Sequence, residues 1–214
     1  MMNRTVAIVD YGLGNLYSIR RAIEYLGGTV IITADPEMIA EAGRMILPGV
    51  GAFGEGIANL EKKNLTGPVK EFAMTGRPLL GICLGMQLLM DGSEELGAHK
   101  GLGIIGGKVV RIPVQDAAAA YKIPHVGWNA VSAPNKTVTW DDTVLKGVPG
   151  RTFMYFVHSY VPVPTEDRDI LAVTRYGERD FCSVVQRGAI CGCQFHPEKS
   201  GEAGLSILNN FLRS

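Results

Sequence analysis

The first half of the chain alternates short apolar runs with an amphipathic stretch. The apolar runs cover Thr5–Val9, 29–32, Arg44–Leu47 and 78–83, and the amphipathic stretch 15–26 lies between the first two. Short apolar runs bounded by turn residues predict buried strands, and strands that alternate with helices predict parallel pairing. We therefore expect a mostly parallel sheet covered by helices on both faces.

The stretch 15–26 carries the clearest helical pattern. Leu16, Ile19, Ile23 and Leu26 recur at helical spacing and would form one apolar face. Gly27 supplies the residue type that commonly ends a helix. The pattern predicts one amphipathic helix that packs its apolar face against the sheet.

The pattern of hydrophobic and polar residues changes after residue 108, where short runs rich in β-forming residues follow one another. They cover 109–112, 152–157, 170–175, 183–186 and 189–195, and an amphipathic segment at 202–212 predicts a closing helix. Several of these strands are expected to pair antiparallel because only turns separate them. The pattern predicts a single α/β domain over residues 1–214 with a central mixed sheet.

Composition removes several classes of partner. The chain of 214 residues has 21 Lys and Arg against 21 Asp and Glu, and no dense basic run, which disfavours nucleic acid and anionic membranes. No apolar stretch reaches the roughly 18 residues of a membrane span, and the N-terminal apolar run is too short for a signal peptide. The 4 cysteines show no disulfide spacing, so a cytoplasmic location is expected.

The segment 77–90 is the most informative for chemistry. A buried strand ends in Gly-Ile-Cys-Leu-Gly and turns directly into a helix, so Cys83 would project from a sharp turn, with Gly81 and Gly85 allowing close packing. A helix N-terminus beside sulfur favours the thiolate, and the N–H of Leu84 could bind an oxyanion. The alternative is that Cys83 is a small apolar residue at the end of a core strand.

A thiolate needs a base, and His196 is the best placed of the 4 histidines. It follows the strand predicted at 189–195 and opens the sequence His-Pro-Glu, in which Glu198 could orient the imidazole. Taken alone, His-Pro-Glu is also compatible with an ordinary surface turn. Together with Cys83, it predicts a Cys-His-Glu triad.

The loop after the strand Arg44–Leu47 could contribute a second oxyanion donor. Gly49, Val50 and Gly51 follow Pro48, and the two glycines leave backbone N–H groups accessible in unusual conformations. A bare glycine-containing loop is weak evidence without the rest of the site.

One alternative function is binding of a dinucleotide. Gly12 and Gly14 follow the first strand, and Asp35 follows the second, as in a Rossmann fingerprint. Tyr17 replaces the third glycine, however, and is expected to block close packing of the helix on the strand. We therefore expect no such cofactor.

A second alternative is a zinc site built from Cys182, Cys191, Cys193 and His196. Residues 191 and 193 lie on the same face of a strand, but the same alternation suits two buried core thiols. No Cys-x₂-Cys knuckle supports a metal, so the core interpretation is preferred. A third alternative, an interaction module without catalysis, is disfavoured by the complete triad.

The joint set PGVG (48–51), GICLGMQ (81–87) and QFHPEKS (194–200) resembles the class I, triad-type glutamine amidotransferases over essentially the whole chain. The resemblance implies a flavodoxin-like fold, no cofactor, and L-glutamine as the substrate. It implies Cys83 as the nucleophile, His196 as the acid/base and Glu198 as its partner. The implied oxyanion donors are Gly49, Val50, Gly51 and Leu84, and the implied glutamine-binding residues are Gln87, Glu95, Ser159 and Tyr160.

Three further motifs narrow the resemblance within that family. VDYGLGNL (9–16), PHVGWN (124–129) and YFVHSY (155–160) are similar to the branch that serves imidazole glycerol phosphate synthase in histidine biosynthesis. This branch implies a heterodimer with a HisF-type (β/α)₈ cyclase that consumes the ammonia, with Asn15, Trp128, Tyr155 and Lys199 at or near the interface. The alternative is a subunit of anthranilate or aminodeoxychorismate synthase, which shares the triad motifs. Three histidines are left without a role: His99, His125, which precedes an expected Gly-Trp-Asn turn, and His158.

Overall fold

The computed structural model describes residues 5–112 and 121–214. Residues 1–4, which belong to the N-terminal stretch judged too short for a signal peptide, lie outside the described residues. Its first half contains β1 (Thr5–Val9), α1 (Leu16–Tyr25), β2 (Thr29–Thr33), α2 (Pro36–Glu41), β3 (Arg44–Leu47), α3 (Phe53–Lys62), α4 (Thr66–Met74), β4 (Leu79–Ile82) and α5 (Leu84–Leu88). The second contains β5 (Gly92–Ser93), β6 (His99–Lys100), β7 (Gly107–Arg111), β8 (His125–Ser132), β9 (Thr152–His158), β10 (Tyr160–Pro164), β11 (Ile170–Tyr176), β12 (Arg179–Arg187), β13 (Ile190–Cys193) and α6 (Gly201–Arg213). Within the described ranges, no helix is long and apolar enough to cross a bilayer.

In the described part of the chain, nine strands form one mixed sheet in the order β2-β1-β3-β4-β13-β12-β11-β8-β9. The first five strands pair in parallel, and the remaining four continue the sheet in antiparallel fashion. The order of the parallel strands is that of flavodoxin-like folds. The expected α/β fold with antiparallel additions in the C-terminal half is confirmed. A smaller sheet, β10-β7-β5-β6, lies beside it.

Two apolar layers cover the two faces of the large sheet. One contains Ile19 and Ile23 of α1 with Phe211 of α6, and the other contains Phe53 of α3 and Phe72 of α4. The helix predicted at 15–26 begins at Leu16, because the side chain of Asn15 accepts a hydrogen bond from the N–H of Ser18. Helices on both faces are therefore confirmed.

Several elements differ from the sequence-based prediction. The helices α2, α3 and α4 were not predicted, and the expected Gly-Trp-Asn turn after His125 is wrong. That segment is the strand β8, which pairs with β9 from His125 opposite His158 to Val131 opposite Thr152. The partner strand, more than twenty residues later in the chain, decides its conformation.

Candidate active site

Parallel strands bring the predicted triad together at one edge of the sheet. β4 and β13 are neighbours in register, with Ile82 opposite Cys193, so the residues that follow each strand emerge side by side. The N–H of Cys83 donates to the carbonyl of Cys193 at 2.8 Å. Cys83 and His196, which are far apart in sequence, therefore meet at the carboxyl ends of adjacent strands, where ligands bind in this class of sheet.

Cys83 occupies a sharp turn between β4 and α5. Its backbone has φ 53° and ψ −110°, a conformation that a residue with a side chain rarely adopts. The turn is closely packed: a Cβ at Gly81 would lie 2.8 Å from the backbone N of Met86, and a Cβ at Gly85 would overlap the carbonyl of Leu47. Cys83 is 5% exposed, yet it lines a cavity, so the alternative of a purely structural core cysteine does not describe its position.

His196 and Glu198 form a buried pair beside this turn. Nδ1 of His196 lies 2.9 Å from Oε1 of Glu198, which leaves the buried Nε2 without a hydrogen-bond partner among the described residues. Burial lowers the pKa of His196, but the neighbouring Cys83 and Glu198 outweigh burial and raise it to about 10. At neutral pH the ring is therefore protonated, and an imidazolium next to sulfur stabilises a thiolate.

Residues 48–52, here called the oxyanion loop, connect β3 to α3 at the same edge. Val50 and Gly51 line the cavity, whereas Gly49 is buried and does not. A Cβ at Gly49 would lie 2.7 Å from Cβ of Leu84 and 3.0 Å from the N of Gly85, so the loop packs directly on the first turn of α5. Leu84 is the first residue of α5, and its N–H therefore has no acceptor within the helix.

The cavity has a volume of about 250 Å³, below the usual range for drug-sized ligands and suited to a molecule as small as an amino acid. All four residues expected to hold glutamine contribute to its wall. The lining residues are Val50, Gly51, Cys83, Leu84, Gln87, Glu95, Pro124, Val157, His158, Ser159, Tyr160 and His196.

Among the four residues expected to hold glutamine, the side chains of two already have hydrogen-bond partners in the protein. Nε2 of Gln87 donates to the carbonyl of Tyr160 at 3.0 Å and to Oε1 of Gln194 at 2.9 Å, which leaves only its carbonyl oxygen for a ligand. Oε2 of Glu95 accepts from the N–H of Phe53 at 2.7 Å, which leaves Oε1. Nε2 of Gln194 in turn donates a hydrogen bond to Sγ of Cys83 at 3.6 Å. Sequence reasoning missed Gln194, although it lies in the motif that also contains His196.

A pair of buried histidines supports the wall of the cavity. Nδ1 of His158 lies 3.0 Å from the carbonyl of Tyr160, and Nε2 of His158 lies 3.0 Å from Nδ1 of His125. Because a carbonyl only accepts, we assign the proton to Nδ1 of His158, and His125 then donates to Nε2. Burial lowers the pKa of His158 to about 3, so the pair stays neutral and holds the backbone of Tyr160 in place.

The residues expected at a partner interface lie next to the triad. Trp128 is 51% exposed and contacts Tyr155 edge to face, with ring centroids 6.0 Å apart. Nζ of Lys199 lies 5.8 Å from the centre of the Tyr155 ring. Asn15 caps α1, the helix that packs against the 3₁₀ turn Pro197–Lys199. Exposed apolar side chains extend this surface along the β8/β9 pair: Val126, Phe153 and Val157.

The acidic residue that the dinucleotide alternative needs after β2 already has a structural role. Asp35 is used as the cap of α2, where its carboxylate accepts from the N–H of Glu37 at 2.9 Å. Tyr17 is 70% exposed, so the expectation that it blocks packing of α1 on the sheet is wrong. The helical period turns position 17 to solvent, while Ile19 and Ile23 face the strand.

The other three cysteines lie in the core. Cys191 and Cys193 pack on one face of the sheet, whereas Cys182 packs on the other. Burial raises the pKa of Cys191 to about 12, and its Sγ lies 3.4 Å from the carbonyl of Leu79. In residues 5–112 and 121–214, no three His, Cys, Asp or Glu side chains are grouped as metal ligands. The geometry favours core thiols.

Comparisons with known proteins agree with the arrangement. The model of the class I glutamine amidotransferase family matches residues 7–214. Imidazole glycerol phosphate synthase subunit HisH 1 of Legionella pneumophila (strain Lens) is 45% identical over 98% of this chain and 99% of its own length. The HisH subunit of Moorella thermoacetica is 47% identical over 97% and 94%. A chain of PurLQS from Thermotoga maritima shares the fold at 18% identity, with a TM-score of 0.71 and 99% of both chains covered.

Proposed function

The chain belongs to the class I glutamine amidotransferase family, and we propose that it is the glutaminase subunit of an imidazole glycerol phosphate synthase. The observation that carries the proposal is that Cys83 and His196 line one small cavity at the edge of the parallel strands, with Glu198 paired to Nδ1 of His196. The names of the relatives favour this synthase over one that uses chorismate.

In the proposed reaction, the thiolate of Cys83 attacks the side-chain carbonyl carbon of glutamine. The negative charge that develops on the carbonyl oxygen is stabilised by the N–H of Leu84 and by an N–H of the oxyanion loop. The imidazolium of His196 gives its proton to the leaving nitrogen, so ammonia departs and a thioester remains. Water then attacks the thioester with His196 as the base, which releases glutamate and restores the pair.

The cavity wall suits the zwitterionic end of glutamine. The free Oε1 of Glu95 is proposed to bind the ammonium, and Ser159 and Tyr160 are proposed to bind the carboxylate through N–H or hydroxyl donors. Gln87 offers its remaining carbonyl oxygen and holds Tyr160 in position. No cofactor is needed for any of these steps.

Ammonia made in this cavity is proposed to pass to a HisF-type cyclase. The exposed Trp128 and Lys199 lie against the half-buried Tyr155, and Val157, on the same strand as Tyr155, lies on the rim of the cavity. Aromatic residues at the centre of an exposed patch are favourable anchors for a protein partner. A partner bound there would cover the mouth of the site.

The test measures glutamate release from glutamine by the chain alone, and with a HisF-type cyclase and its phosphoribulosyl nucleotide substrate. We expect Cys83→Ala to lose at least about 10⁴-fold in kcat, while ammonium salt still supports the cyclase reaction in the complex. Cys182→Ala, on the other face of the sheet, is the matched control and should retain activity. Turnover by Cys83→Ala near that of the unmodified protein would exclude Cys83 as the nucleophile, and stimulation only by a chorismate-using synthase would change the partner.

A further inference from the structure

The oxyanion loop rests on the loop that follows β1. The hydroxyl of Tyr11 donates a hydrogen bond to the carbonyl oxygen of Pro48 at 2.6 Å. Gly14 also packs closely on Pro48: a Cβ at Gly14 would lie 3.0 Å from Cβ of Pro48. Residues 9–16 therefore contact the loop that follows β3, the strand paired with β1. The sequence analysis gave Tyr11 no role.

The contact of Tyr11 is a buried and directional one. Tyr11 is 1% exposed, and burial and the nearby Cys83 raise its pKa, so the hydroxyl keeps its proton and donates. The peptide that joins Pro48 and Gly49 is planar and trans, which places its N–H opposite its C=O. A fixed Pro48 carbonyl therefore fixes the direction of the Gly49 N–H and the start of the following peptide.

The far end of the loop has a separate anchor. The N–H of Phe53 donates to Glu95, whereas Gly49, Val50 and Gly51 make no hydrogen bond to the described residues. Turning the Pro48–Gly49 peptide over would break the bond to Tyr11 and leave a buried carbonyl without a donor, which is unfavourable. The Tyr11 hydroxyl is thus the polar restraint on the first half of the loop.

We propose that Tyr11 is a positioning residue of the glutaminase site, whose hydroxyl holds the Pro48 carbonyl so that the oxyanion loop presents its N–H groups beside Leu84. This inference rests on the proposed function, since the loop matters only if an oxyanion forms there. Tyr11 acts through the loop and does not line the cavity. Preorganised donors stabilise the transition state more than the bound substrate, so the effect belongs to kcat.

The experiment compares Tyr11→Phe with Tyr17→Phe in the complex with the cyclase. Tyr11→Phe keeps the buried ring and removes only the hydroxyl, whereas Tyr17 is 70% exposed on α1 and serves as the control. We expect kcat for glutamate formation to fall about tenfold in Tyr11→Phe, equivalent to about 1.4 kcal/mol, with KM for glutamine within twofold. Tyr17→Phe should match the unmodified protein.

A second readout separates positioning of the loop from a structural role. Alkylation of Cys83 by iodoacetamide needs the thiolate but develops no oxyanion, so its rate should be the same in both variants and in the unmodified protein. An unchanged kcat in Tyr11→Phe, or a parallel fall of kcat and alkylation rate, would overturn the inference. Absence of glutamate formation by the unmodified complex would instead overturn the proposed function, and the inference with it.

Discussion

The close packing of β4 against α5 predicts a large effect of a single methyl group at Gly81. A Cβ there would lie 2.8 Å from both N and Cα of Met86 and 2.9 Å from the carbonyl carbon of Gly85. Ordinary contacts begin near 3.4 Å, so α5 must move by about 0.6 Å. The opposing atoms are backbone atoms, which cannot rotate away as a flexible side chain could.

The expected loss of stability and activity follows from this required movement of α5. Overpacking of a well-packed core costs about 1–3 kcal/mol, and we expect Gly81→Ala to lose about 2 kcal/mol of the free energy of unfolding. For a chain of this length, that loss lowers Tm by about 4–8 °C. The same shift moves the N–H of Leu84 relative to Cys83, and misplacement of about 1 Å can cost about 10²-fold in rate, so kcat should fall at least about tenfold.

The assay is thermal unfolding followed by circular dichroism, with glutamate release measured on the same samples. Gly150→Ala is the matched control, because its Cβ would meet no heavy atom within 4 Å and its backbone φ is not positive. Its unfolding free energy should stay within about 0.5 kcal/mol of the unmodified protein. A Gly81→Ala protein with unchanged Tm and full kcat would refute the packing argument for the turn at Cys83.

Two further predictions concern the triad and the partner surface. The raised pKa of His196 contributes stability that is fully present below about pH 6.5 and is lost as pH rises through about 10. Glu198→Gln removes one of the groups that raise this pKa, so the alkaline limb of the pH profile of kcat should move to lower pH. We also expect kcat to fall at least about tenfold. An alkaline limb that stays at the same pH in a pH–rate series would contradict the role of Glu198. Trp128→Ala should weaken binding of the cyclase about 30-fold by titration calorimetry, whereas Tyr25→Ala, also exposed but on α1, should stay within twofold, and equal affinities would remove Trp128 from the interface.

The sequence by itself determined those features that depend on local pattern. The apolar spacing of Ile19 and Ile23 was sufficient to predict α1 and its buried face, since a helix repeats within the segment that forms it. Gly81 and Gly85 around Cys83 predicted a tight turn because only glycine tolerates so close an approach of strand and helix. The motifs at 81–87 and 194–200 also pointed to Cys83, Gln87 and His196, which line one cavity in the structure.

Only the tertiary structure decided how distant residues meet. Tyr11 and Pro48 belong to different loops, and Gln87 and Gln194 follow strands that are neighbours only in the folded sheet. The strand β8 needs its pairing with β9, and the segment around His125 looked like a turn without it. Such contacts depend on strand order and register, which no local pattern encodes, because the free energy that selects them comes from packing across the whole sheet.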